Sequence, residues 1–351
     1  MSGPGLRAPV VLLIFNRPDT TALVFEAVAA VRPQKLFVVA DGPRADRPGE
    51  AEACTAARAV TERVNWPCEV ARDYSATNLG CARRVSSGLD WAFGMVEQAI
   101  ILEDDCVPDP SFFPFCQKLL ELYRDDERIM AISGDNFQQG RRRGPYSYYL
   151  SVYPHCWGWA TWRRAWRLFD PTMALWPEIR DGGWLRSHLA DANAVRFWTD
   201  IFDRTRNGEF DSWAFPWTLS CWAQGGLTAQ PNVNLVTNIG FDSRATHTRD
   251  AGPSATVQAE AMEFPLHHPP FLIRNAAADR YTLEVHFGVP MHARALNLLE
   301  SLSRPLFRLL ESRPYRFLFR QVSRTLRAGQ RALRVLRRWL RRRPPRQEPA
   351  S

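Results

Sequence analysis

The chain has no apolar run long enough to cross a bilayer. The aliphatic stretch near its start, Val10 to Phe15, is far shorter than the roughly 20 residues a spanning helix requires. Met1 to Pro9 lack the apolar core of a secretory leader. Pairs of the C-x-x-C type are missing too, and the seven cysteines (Cys54, Cys68, Cys81, Cys106, Cys116, Cys156 and Cys221) are odd in number and widely scattered. That spacing argues against structural zinc and fits reduced thiols in a cytoplasmic compartment. A basic core groove is also lacking. The formal net charge is +8, but the segment from Arg304 onward holds 15 Arg against Glu311 and Glu348, which leaves the rest of the chain at about −5. A mildly acidic body with a basic tail speaks against nucleic acid as a partner.

What is present is a chain of 351 residues, 45% hydrophobic, enough to bury a large core. Its first half alternates strand and helix signals, the pattern of βαβ units and a largely parallel sheet. Strands are expected at 10–16, 36–40, 68–72, 98–102 and 129–133, with helices at about 20–31, 50–64, 81–96 and 111–125 between them. The apolar run Ala99, Ile100, Ile101, Leu102 ends abruptly in Glu103, Asp104 and Asp105, then Pro108. A short aliphatic run reads as a strand buried on both faces, so the carboxylates emerge at the strand end, where open α/β sheets bind ligands. Adjacent carboxylates repel unless a cation compensates, and hard oxygen donors suit Mg2+ or Mn2+. The alternative is a solvated turn. Asn16, Arg17, Asp41 and Asp135 also stand at strand ends and would gather along the same edge.

Beyond the basic turn Arg141 to Gly144 the texture changes. A strand is expected at 146–153, then a tryptophan-dense stretch from Trp157 through Gly158 to Trp162 leading into a helix at 163–168, and a last sheet element at 233–236. The aromatic rings read either as core or as stacking surfaces for sugar rings. Asp211, in Glu209 to Trp213, reads either as a helix N-cap or as a general base. After Leu296 apolar residues at helical spacing alternate with arginines, which describes an amphipathic cationic helix suited to an anionic membrane surface, or a solvated tail.

The segments Ile14 to Pro18, Ala40 to Gly42, Asn78 to Arg83 and Glu103 to Asp105, in that order, resemble the GT-A glycosyltransferases. The acidic cluster with Pro108, Phe112 and Phe113 is similar to the inverting N-acetylglucosaminyltransferase I branch, and Trp157 to Trp162 with Asn238 to Thr248 is similar to bacterial sugar transferases of surface polysaccharides. The resemblance implies an α/β fold of GT-A type: a Rossmann-like mixed, mostly parallel sheet flanked by helices, with a helical basic tail at the C-terminus. It implies a catalytic domain over 9–290, with a nucleotide-sugar half (9–140) and an acceptor half (141–290). Residues 1–8 and 344–351 would be disordered and 291–343 would form the tail. The implied activity is transfer of a sugar from a nucleoside diphosphate donor, UDP-linked, to a saccharide or lipid-linked saccharide, with inversion and with Mn2+ or Mg2+. Asp105 and His247 would hold the metal. Asn16, Arg17, Asp41, Asn78, Arg83, Glu103, Asp104, Trp157 and Gly158 would hold the nucleotide sugar, and Asp211 would be the base with Asp135 in reserve. The protein would sit at the inner face of the cell membrane. Rival readings are a nucleotidyltransferase, for which the Gly-rich loop with Lys is missing after Phe15, and a membrane-associated carbohydrate-binding protein.

Overall fold

The computed structural model describes residues 5–241 and 257–290. They lie within one compact unit, Met1–Met291; the second unit, His292–Ser351, lies outside the described residues, as does His247. In chain order the elements are β1 (Val10–Ile14), α1 (Pro18–Val31), β2 (Lys35–Ala40), α2 (Glu50–Val60), β3 (Glu69–Tyr74), α3 (Cys81–Met95), β4 (Gln98–Glu103), β5 (Cys106–Pro108), α4 (Phe112–Leu122), β6 (Ile129–Ser133), β7 (Tyr148–Ser151) and β8 (Trp159–Trp162). There follow α5 (Arg163–Trp166), α6 (Trp176–Asp181), α7 (Leu185–Leu189), α8 (Ala192–Arg206), α9 (Ala214–Ala223), β9 (Leu227–Pro231), β10 (Val236–Asn238) and α10 (Ala276–Val285).

Eight strands form one sheet in the order β3-β2-β1-β4-β8-β6-β9-β7, with only β7 and β8 running against the others. The sheet is thus mixed, mostly parallel and flanked by helices, as the sequence leads one to expect. Every residue of β1 is buried, which explains its unbroken aliphatic sequence. Val10, Leu12, Ile100 and Leu102 pack on one face with residues of α1 and α4, while Val11, Leu13 and Ile101 pack on the other with residues of α3, α8 and α9. Each such aliphatic side chain stabilises the fold by about 1.5–3 kcal/mol.

The tryptophan-dense stretch departs from expectation. It supplies β8, inserted antiparallel between β4 and β6, with Trp159 and Trp162 only 1% and 2% exposed. These two rings are core. Because β8 runs backwards, its beginning rather than its end meets the ligand edge of the sheet, and this carries Trp157 and Gly158 there. The expected element at 233–236 is likewise redistributed: β9 joins the main sheet, and β10 pairs antiparallel with β5 as a separate two-stranded ribbon just past the acidic cluster.

Candidate active site

Glu103 closes β4, in register with Leu13 of β1, so the acidic cluster faces the turn that follows β1. There the Phe15 N–H donates to the Asp104 carboxylate at 3.1 Å. The Arg17 guanidinium spans the cluster, 2.5 Å from Asp104 Oδ1 and 2.9 Å from Asp105 Oδ2. Burial opposes the charge on Arg17, but the two carboxylates outweigh it and raise its pKa. Glu103 is pushed up to about 8 by burial and by the charges of Asp105 and Asp104. Burial also raises Asp104, to about 6, against the pull of Arg17. One guanidinium therefore leaves three carboxylates under-neutralised. A site that binds protons this avidly also favours a cation, and its hard oxygen donors fit Mg2+ or Mn2+. Among the described residues no three His, Cys, Asp or Glu side chains form a complete metal cage. The donor set thus suits an ion held by one or two carboxylates and completed by phosphate oxygens and water.

The β5–β10 ribbon folds the next segment back over this cluster. The Ile239 N–H donates to the Asp105 carbonyl at 2.8 Å, and a Cβ on Gly240 would collide with the Asp105 carboxylate. Only glycine lets the chain pass this closely. Asp211 reaches across 130 residues to the start of α3, accepting from the Cys81 and Ala82 N–H groups, each at 2.9 Å. It caps α3, not the helix that follows it, and a carboxylate there also complements the helix dipole. Asp211 is exposed and retains lone pairs for a further partner. Gly80, at φ +82°, leaves room for it; a Cβ would stand 2.8 Å from Oδ2. Cys81 ties these groups together: burial, then Glu103, Asp211 and Asp105, all push its thiol up.

Asp135 lies deeper, 1% exposed, with its oxygens taken by Ser133 Oγ at 2.7 Å and the Trp157 N–H at 3.1 Å. Burial pushes it up to about 7 despite those bonds. It thereby fixes the turn in which the Trp157 ring meets Phe137 and Phe241 edge-on, at 5.0 and 5.5 Å. Gly158, at φ +68°, accepts from the Gly134 N–H at 2.7 Å and abuts Val236.

The remaining expected residues lie on the flank toward β2. Asp41 joins the end of β2 to the turn before α3, accepting from the N–H groups of Gly42, Leu79 and Gly80 and from Asn78 Nδ2. Asn16 donates to Glu50 Oε1 at 2.9 Å, and Glu50 also binds Arg44. Arg83 is exposed on α3, with no ion pair among the described residues, while its neighbour Arg84 is buried against Asp73. Nothing in the local sequence marks a role at the site for Glu50, Cys81, Trp213 or Gly240. Trp213 stands two residues from Asp211, its ring stacked on Trp159 at 5.3 Å. Gly240 lies in the segment Asn238 to Thr248, whose local sequence does not mark it as the cover of Asp105.

No protein-family model matches the chain. A stretch of 131 residues is 34% identical to an alpha-1,3-mannosyl-glycoprotein 2-beta-N-acetylglucosaminyltransferase of Arabidopsis thaliana, covering 36% of this chain and 27% of that protein. The chain thus spans about a quarter of that relative's length. Among solved structures, a Pyrobaculum calidifontis mannosyltransferase in complex with GDP-Man and Mn2+ aligns over 46% of this chain and 47% of its own, at 17% identity and a TM-score of 0.31. A UDP-glucose pyrophosphorylase complexed with UDP-glucose aligns over 46% of this chain and 78% of its own, at 8% identity and a TM-score of 0.26.

Proposed function

We propose that this protein is a metal-dependent glycosyltransferase that moves a sugar from a nucleoside diphosphate, UDP, to a hydroxyl of a saccharide or glycolipid with inversion, in the building of surface polysaccharide. The observation that carries the reading is the under-neutralised cluster of Glu103, Asp104 and Asp105 at the C-terminal end of a central parallel strand. The likeness of part of the chain to an N-acetylglucosaminyltransferase supports it.

In this reading Asp105 holds Mn2+ or Mg2+ together with His247, and Glu103 and Asp104 meet the ribose or the donor sugar. A divalent ion bound there supplies Lewis-acid stabilisation of the charge on the departing nucleoside diphosphate. Arg17, already centred on the cluster, is placed to share its charge with phosphate oxygens. Asn16, Asp41, Asn78 and Arg83 hold the nucleotide end, and Trp157 and Gly158 line the sugar side. Asp211 takes the proton of the attacking hydroxyl, its open lone pairs being the supporting observation, with Asp135 in reserve. The segment 291–343 would hold the enzyme at the cytoplasmic face of an anionic membrane, near a lipid-linked acceptor. Among the described residues no helix is long and apolar enough to cross a membrane.

Calorimetric titration of UDP with and without Mn2+ tests the core of the proposal. Metal-dependent binding is expected for the native chain and is lost in Asp105→Ala; equal affinity in the two proteins would refute the metal site. The anomeric configuration of the product, read by NMR, tests inversion.

A further inference from the structure

The basic turn Arg141 to Gly144 plays no part in the site above, yet it borders a cavity of about 550 Å3 along β7, the edge strand of the sheet. That volume suits a small-molecule ligand, and the cavity shares no lining residue with the acidic cluster. Its wall combines Arg142 and Arg143 with Tyr146, Tyr149, Phe271 and Ile273, and it contains no carboxylate.

Arg143 is held in place from two sides. Its backbone N–H donates to Asn232 Oδ1 at 2.7 Å and its Nε donates to Gln138 Oε1 at 2.7 Å. Gln138 is itself anchored on Thr282 Oγ1 at 2.8 Å. Nε is committed and Nη2 is enclosed without any acceptor, which leaves Nη1, not enclosed and without a hydrogen bond among the described residues, as the donor a ligand can reach. No acidic side chain pairs with Arg141, Arg142 or Arg143 among the described residues; Arg141 and Arg143 instead share the Tyr281 ring, at 4.4 and 5.3 Å from its centroid. A partly enclosed guanidinium with an unmet donor is costly unless an anion approaches. Beside it, Tyr146 and the exposed Phe271 meet edge to face at 5.8 Å and offer an apolar ledge.

We infer that this cavity binds an acidic saccharide unit, a sugar ring bearing a carboxylate or a phosphate, with its charge on Arg142 and Arg143 and its apolar ring face against Tyr146 and Phe271. Planar guanidinium donors match either oxyanion, and a neutral sugar leaves them unsatisfied. Assigning this unit to the acceptor rests on the transferase reading; the binding itself does not.

Calorimetry on the full chain, without nucleotide or divalent metal, is performed with glucuronate, glucose 6-phosphate, glucose and inorganic phosphate. At least one acidic sugar is expected to bind tenfold or more tightly than glucose, and the tighter of the two identifies the oxyanion. Arg142→Gln, at an exposed position that leaves packing untouched, should weaken it severalfold, and Arg143→Gln by tenfold or more. Glucose binding as tightly as the acidic sugars would overturn the inference. So would unchanged affinity in both Arg variants, or inorganic phosphate binding as tightly as the acidic sugars, which would reveal a bare anion site. Failure of metal-dependent UDP binding would refute the transferase reading and leave this result standing.

Discussion

Asp211→Asn separates the two roles open to that carboxylate. In the structure both oxygens accept helix N–H groups at 2.9 Å. Asparagine keeps one acceptor oxygen and removes the charge, so it forfeits part of a capping interaction worth about 1 kcal/mol and a helix-dipole contribution of roughly 0.5 kcal/mol. The summed loss of about 1 kcal/mol lowers the melting temperature by roughly 2–4 °C. Against a typical stability of about 5–15 kcal/mol this leaves the folded fraction essentially unchanged. Loss of stability therefore cannot account for loss of turnover. Removal of a general base costs about 100-fold to 10,000-fold in rate. The expected result is a slightly less stable protein that binds UDP and Mn2+ as the native chain does and transfers sugar at least 100-fold more slowly, an order-of-magnitude figure. Turnover within threefold of native at the lowered melting temperature would make Asp211 a cap alone. A melting temperature that does not move would refute the capping argument.

Gly240→Ala should weaken metal-dependent UDP binding about tenfold without removing any ligand, because the added Cβ displaces the Asp105 carboxylate; native affinity by calorimetry would refute that packing argument. In EDTA, stability should fall as pH rises from 6.5 to 8. Glu103 and Asp135, raised to about 8 and 7, hold protons in the folded chain that the unfolded chain has already released. A melting temperature that is flat or rises over that interval would contradict this sign. Mn2+ should restore much of the loss at pH 8, since it relieves the same repulsion. Deletion of 305–351 should abolish cosedimentation with anionic vesicles, and persistent binding would eliminate the tail as the membrane anchor.

The acidic cluster was legible because its cause is local. A strand buried on both faces, such as Ile100 to Leu102, must be aliphatic, and the first carboxylates after it mark where it leaves the core. The same reasoning located β1, β2, β4 and β6 to within a residue or two at most ends. It passed over β8, because Trp159 to Trp162 carries no alternation: the residues are buried on both faces and the rings read equally well as a sugar platform. It also gives a single element at 233–236 where β9 and β10 lie on either side, since neither β9's pairing with β6 nor β10's with β5 leaves a local trace.

The sequence by itself determined the βαβ framework, the strand ends and the residues available for chemistry there, since burial and turn preferences act over a few neighbours. Tertiary structure alone decided which of those residues meet. It set Asp211 on the distant helix α3, laid Gly240 over Asp105, turned Asp41 inward onto the backbone of Leu79 and Gly80, and reversed β8 so that Trp157 reaches the ligand edge. Those outcomes follow from long-range packing and hydrogen bonding, where the partner is chosen by the whole core and not by the residues beside it in the chain.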